Sequence, residues 1–167
     1  MKFSEFFTSK DNLHLDKRTL VILRWIAIVG QYITISIVYL IFNFELPFFY
    51  CSTIILVGVA TNLYLQFKVK ENQLNNFTST FFLFYDLIQL ATLLYLTGGA
   101  TNPFTILLIV PAIVSSTFLT LKSTINLSIM TVTILIVLTI DHYPLPYSGD
   151  LHFHVPNYYL YAIPTAI

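Results

Sequence analysis

The run 46–67 carries no charged residue. Crossing the roughly 30 Å hydrocarbon core of a bilayer takes about 20 apolar helical residues, so a helix of this length suffices. Comparable runs recur along the chain. One occupies 20–42, broken only by Arg24 and Gln31, and another occupies 77–96, with Asp86 near its midpoint. The stretch 104–140 is too long for a single crossing; Lys122, with Thr120, Ser123 and Thr124, divides it into 104–121 and 123–140. A last run, 158–167, contains Pro164 and stops at Ile167, about half-way through a membrane, which we read as a truncation, the alternative being a short re-entrant tail packed against protein. Only 10% of the residues are charged, against about a quarter in soluble domains, too few to cover a water-exposed surface. The expected fold is therefore an all-α membrane protein: a tail, 1–18, then a transmembrane domain, 19–167, of five complete helices and an incomplete sixth.

Loop charge gives the expected orientation. Lys2, Lys10, Lys17 and Arg18 precede the first span, Lys68 and Lys70 separate the second from the third, and Lys122 separates the fourth from the fifth; 43–45, 97–103 and 141–157 hold no Lys or Arg. The positive-inside rule makes the basic side, with the N-terminus, cytoplasmic. Arg24 lies just over one turn into the first span, close enough for its head to snorkel back to that surface. The first span is too long for the apolar region of a signal peptide, about 7–15 residues, and no small-residue cleavage site follows. Eight basic and eight acidic residues cancel, leaving no field for a nucleic acid. The single cysteine, Cys51, excludes a disulfide framework and a cysteine-rich metal centre, and the fifteen Phe and eleven Tyr exclude disorder.

Three polar features stand out. The sequence Thr97-Gly98-Gly99-Ala100-Thr101-Asn102-Pro103-Phe104 reads first as helix punctuation: glycines ending one helix, Asn102 capping the next and Pro103 at its first position. The same groups also suit a flat, uncharged, lipid-soluble ligand, because glycine lets a ring approach the backbone, the Asn102 amide donates and accepts, and Phe104 offers a stacking face. A quinone fits that description, though composition alone does not select it over a lipid head group. Second, Asp86 is an intramembrane carboxylate with Gln89 three residues on, hence on the same helical face. It serves as a proton relay, a substrate ligand or a protonated hydrogen bond to a neighbouring helix, with Arg24 a partner if the two reach a shared depth. Third, 141–157 contains Asp141, His142, Asp150, His152 and His154. His-x-His is a metal-ligand spacing, but outer loops carry such residues without order, and no metal site is assigned. No histidine lies mid-span, which argues against a membrane cytochrome b. Phosphate-loop, dinucleotide, hydrolase and zinc-protease signatures are absent, so no catalytic residue is assigned.

Two stretches become specific together: Leu23-Arg24-Trp25-Ile26-Ala27-Ile28-Val29-Gly30-Gln31 in the first span, and Gly98-Gly99-Ala100-Thr101-Asn102-Pro103-Phe104 between the third and fourth. At this separation and topology they resemble the membrane domain of the RegB/PrrB family of redox-sensing histidine kinases, whose outer-loop heptapeptide Gly-Gly-x-x-Asn-Pro-Phe senses ubiquinone. All five fixed positions are present. The resemblance implies that Gly98, Gly99, Asn102, Pro103 and Phe104 bind ubiquinone or another membrane quinone, that Arg24, Trp25 and Gln31 belong to a family-like motif, and that the chain is the signal-input half of a two-component sensor. It further implies a bacterial inner membrane, a homodimer in the full-length protein, and a cytoplasmic response regulator reached through a kinase part that this chain lacks. ATP and Mg would bind only in that part. His14 is unlike a phosphoacceptor, and Cys51, at the outer end of its span, is not given the role of the family's cytoplasmic redox cysteine.

A different class competes. A small six-span transport component, such as the substrate-binding subunit of an importer, suits the length, with Asp86 and Gln89 in a polar substrate pocket. It predicts a closed sixth span and polar residues converging from several helices.

Overall fold

The computed structural model describes residues 15–41, 45–70 and 72–143. The tail 1–14, the expected last span 158–167, and Asp150, His152 and His154 lie outside the described residues.

Among the described residues five α-helices follow one another: α1 (Lys17–Leu40), α2 (Phe48–Lys68), α3 (Asn76–Leu96), α4 (Val110–Phe118) and α5 (Leu121–Ile140), with 3₁₀ segments at Gly99–Thr101 and Pro103–Ile109 between α3 and α4. Four of them, α1, α2, α3 and α5, are long and apolar enough to cross a membrane. Their boundaries have local causes. Pro47 precedes the first residue of α2, Asn75 Oδ1 accepts from the Thr78 N–H at 2.7 Å at the head of α3, and Thr120 caps α5.

The expected complete helix over 104–121 is not what forms. Seven residues wind as a 3₁₀-helix and only nine, Val110–Phe118, as an α-helix. Pro111 sits in the first turn of α4 and has no N–H to give the Leu107 carbonyl, so continuous α-helix through this point is blocked. The Val110 N–H bonds Leu107 instead, three residues back. The tighter winding lengthens the segment: at about 2.0 Å per residue for the 3₁₀ part and 1.5 Å for the rest, 103–118 reaches roughly 27 Å. The segment therefore runs from the α3 C-terminus to the α5 N-terminus, the height of the bundle, with too few helical residues for an ordinary span.

The two ends of the bundle are tied off separately. At one, Lys17 N–H bonds the Asn72 carbonyl at 3.0 Å, Lys17 Nζ bonds the Val69 carbonyl at 2.8 Å, and Asn76 pairs with Thr120 through two hydrogen bonds. Lys17, Arg18, Lys68, Lys70 and Lys122 all fall at this end. At the other, the Tyr143 N–H bonds the Tyr95 carbonyl at 2.9 Å, holding the end of α5 against the end of α3.

α3 is the central element, packed against α2, the broken fourth segment and α5, while α1 packs along α2. Buried leucines from α1, α2, α3 and α5 form one core cluster, and Ile28, Ile35, Cys51, Ile55 and Leu93 form a second between α1, α2 and α3. The outer faces are apolar as well: Phe77 is 80% exposed and Ile140 is 79%. Such surface is compatible with lipid and not with water, so the chain is a membrane protein.

Candidate functional site

Two groups of polar residues, one inside the bundle and one at its end, account for the positions singled out from the sequence. The first is a clasp across α1, α2 and α3. Arg24 Nε donates to Asp86 Oδ1 at 2.9 Å, and Arg24 Nη2 donates to Thr61 Oγ1 at 2.8 Å. The Thr61 hydroxyl in turn donates to the Gly58 carbonyl at 2.9 Å. The guanidinium also lies over two rings of α3, with its central carbon 5.2 Å from the Phe82 centroid and 5.5 Å from that of Tyr85. Arg24 is 3% exposed, against 26% for the Asp86 side chain. Arg24 thus does not snorkel. A carboxylate at matching depth and two aromatic faces hold the cation inside.

Further from the basic end, Gln89 Nε2 donates to Gln31 Oε1 at 3.2 Å, a second bridge between α3 and α1. Gly58 makes room for it: a Cβ there would lie 2.5 Å from Gln89 Nε2. On the basic side of the ion pair, the fully buried Asn62 donates through Nδ2 to the Val21 carbonyl at 3.3 Å. Sequence reasoning singled out Arg24, Asp86, Gln31 and Gln89 but missed Gly58, Thr61 and Asn62. The available signal was an asparagine within an uncharged span, since amides in spans bond across helices. Trp25 is partly buried against the core, and Cys51 is buried and free.

The second group is the Gly-Gly to Phe turn at the end away from the lysines. Gly98 has φ 101° and Gly99 φ 59°, both left-handed and both open to glycine. A Cβ on Gly99 would run into the His142 side chain and lie 2.8 Å from the Leu138 carbonyl oxygen, so the second glycine is also required by the approach of α5. Asn102 locks the turn from both sides. Its Oδ1 accepts from the Phe104 N–H at 2.9 Å, while Nδ2 donates to the Thr97 carbonyl at 3.0 Å and the Thr97 hydroxyl at 2.8 Å. Thr105 Oγ1 closes the loop on the carbonyls of Asn102, at 2.7 Å, and Gly99, at 3.1 Å. Both amide protons of Asn102 are thereby engaged within the loop.

What the turn leaves open is different. The first N–H groups of the 3₁₀ turn Gly99–Thr101 have no acceptor within that turn. His142 Nδ1 is buried without a hydrogen-bond partner among the described residues, beside Gly99. Phe104 is 41% exposed on the outer face. Among the described residues no group of three metal-ligating side chains occurs.

Together these features define an all-helical membrane domain with a buried polar clasp and a glycine-built turn at one end. Over 151 residues, 90% of its length, the chain is 32% identical to Sensor histidine kinase RegB of Cereibacter sphaeroides, and it spans 33% of that relative. The similarity supports a RegB-like sensor-kinase N-terminal region, in agreement with the motif resemblance. No protein-family profile matches the chain, and no solved structure does.

Proposed function

We propose that the chain is the membrane signal-input domain of a two-component, redox-responsive histidine kinase, and that the turn 98–104 takes the head group of a quinone. The chain would sit as a multi-pass domain in a bacterial inner membrane, its basic end in the cytoplasm. The likeness to a sensor histidine kinase and the four apolar helices support the membrane sensor role. The observation that carries the ligand assignment is the unpartnered His142 Nδ1 beside Gly99, in a turn whose other polar side chains bond one another.

On this reading Gly98 and Gly99 let a planar ring approach the backbone, and Asn102 holds the turn's shape from behind. His142 and the free N–H groups of the 3₁₀ turn meet the ring carbonyls, and Phe104 flanks the entry from lipid. Pro103 fixes the start of the following segment. Output would pass to a kinase region that binds ATP and Mg and serves a cytoplasmic response regulator, in a homodimer. The clasp does not favour the transport reading, because its charged pair and its two glutamines bond each other.

The test is equilibrium binding of a short-chain ubiquinone to the whole chain in nanodiscs. His142→Phe should weaken binding about fivefold, the factor for one hydrogen bond of about 1 kcal/mol, and Asn102→Ala, which unlocks the turn behind the ring, should weaken it as well, both with membrane insertion unchanged. Wild-type affinity in both variants would sink the proposal.

A further inference from the structure

Between α3 and α5, near the basic end, lies a groove of about 390 Å³ that opens on the lipid side. Phe77, Phe81 and Phe84 form its α3 wall and Ile129 and Met130 its α5 wall. The hydroxyls in it are already spent: Thr80 donates to the Asn76 carbonyl at 2.7 Å, and Thr133 to the Ile129 carbonyl at 2.9 Å. Asn126 is the exception. Its exposed amide faces the groove, and it makes no hydrogen bond among the described residues. An amide left bare in hydrocarbon is unfavourable, so this one calls for a partner that arrives from outside.

One turn before Asn126 on the same helical face stands Lys122, exposed and without an ion-pair partner among the described residues. The order from the surface inward is thus a cation, an amide one turn deeper, and then an aromatic and aliphatic trough. That is the order of a phosphate, an ester carbonyl and an acyl chain. The rim is rigid, since Asn76 pairs with Thr120 and Thr80 Oγ1 bonds Ser123 Oγ at 2.8 Å.

We propose that this groove is a binding site for an anionic glycerophospholipid of the leaflet at the basic end. Its phosphate meets Lys122, an ester carbonyl accepts from Asn126 Nδ2, and one acyl chain lies along the phenylalanines. Charge complementarity selects the anionic lipid. A second copy of the chain would bring a like-charged lysine to the same rim. The site is independent of the quinone turn at the far end.

The experiment is native mass spectrometry of the whole chain released from nanodiscs of equimolar dioleoylphosphatidylglycerol and dioleoylphosphatidylcholine. The wild type should retain the phosphatidylglycerol about fivefold over the phosphatidylcholine, the factor for one lysine at an anionic surface. Lys122→Gln should erase that preference by lowering retained phosphatidylglycerol while leaving retained phosphatidylcholine in place. Asn126→Leu should lower retention of both lipids about fivefold, because the ester carbonyl is common to them. Both positions are exposed, so both variants should fold. Equal retention of the two lipids by the wild type, or an unchanged preference in Lys122→Gln, overturns the proposal. A change of oligomeric state in Asn126→Leu without a change in lipid assigns the groove to a second copy and overturns it equally.

Discussion

Removing one member of the Arg24–Asp86 pair should be far more damaging than removing both. In Asp86→Leu the guanidinium keeps its bond to Thr61 and the faces of Phe82 and Tyr85 but loses its counter-charge. A lone arginine within a span costs about 2.5–3.5 kcal/mol on insertion scales, and breaking a buried pair about 3–5 kcal/mol. The two rings return part of that, each cation–π contact giving about 0.5–2 kcal/mol. We expect Asp86→Leu to destabilise by about 3 kcal/mol. Arg24→Leu strands a carboxyl whose side chain is 26% exposed and can be hydrated or take up a proton, so about 2 kcal/mol is expected. The double variant buries no charge and fills the space with hydrocarbon, which at other buried pairs is neutral or stabilising; it should fall within about 1 kcal/mol of the wild type. The coupling energy is then at least about 4 kcal/mol, well above what an exposed pair gives. Trp25 is the only tryptophan, next to Arg24 in sequence and packed on the core, so its fluorescence reports unfolding as SDS is titrated into mixed micelles. Additive single variants, with a coupling under about 1 kcal/mol, would refute the claim that a desolvated pair holds α1 to α3.

Three further outcomes follow from particular contacts. Gly58→Ala should push Gln89 off α2 and break its bond to Gln31, costing about 1–3 kcal/mol as overpacking, and Gln89→Ala in the same chain should recover most of it in the same unfolding assay. Gly99→Ala combines a left-handed φ of 59° with overlap onto α5; it should destabilise by about 2–3 kcal/mol, whereas Gly30→Ala, with open space around it, should be neutral or stabilising by up to about 1 kcal/mol. Asn102→Asp keeps the acceptor for the Phe104 N–H but sets an oxygen against the Thr97 carbonyl, so like Asn102→Ala it should cost about 2 kcal/mol. Hydrogen exchange at the Phe104 amide should accelerate in the alanine variant alone.

The membrane class and the positions of the long helices were legible because both follow from one-dimensional quantities, the length of an apolar run and the spacing of charges. The helix starts shifted by only a few residues, and at α2 the shift has a local cause, Pro47. The break in the fourth segment was less legible although its cause, Pro111, stood in plain view. In an apolar run a proline weighs little on hydropathy, while its missing N–H decides the winding. The clasp was half legible. A charged residue in a span announces itself, but whether Arg24 turns outward or inward depends on which helix stands opposite at that depth, and that is a property of three helices rather than one. The same limit hid Gly58 and Asn62, whose roles exist only through Gln89 and the Val21 carbonyl. In the turn, both readings of the sequence used Asn102. The geometry commits its amide protons to Thr97, and the group left open, His142, stood in a segment weighed only for metals.

Polar links run the length of α3 and its C-cap: Asn76 to Thr120 at one end, Asp86 to Arg24 and Gln89 to Gln31 in the middle, and the Thr97–Asn102 lock at the other. On the reading proposed above, a ligand at the turn therefore acts on one end of the helix that holds the bundle together. How far it can act is bounded. A ligand shifts a two-state equilibrium only by its difference in affinity for the two states, and carrying a population from about 1% to about 99% needs roughly 5.5 kcal/mol. The turn offers a few neutral hydrogen bonds of about 1 kcal/mol each, so exchanging an oxidised for a reduced ring at this site supplies about one or two of them, a change of roughly five- to thirtyfold in the ratio of states. The Arg24–Asp86 pair, at about 4 kcal/mol of coupling, exceeds that. A quinone at 98–104 would thus bias the tilt or rotation of α3 about an intact clasp rather than open it, and the response to the quinone pool would be graded. The measurement that decides this is the Arg24–Asp86 coupling energy with and without bound quinone: an unchanged value is expected, and a collapse of the coupling on binding would make the clasp itself the switch.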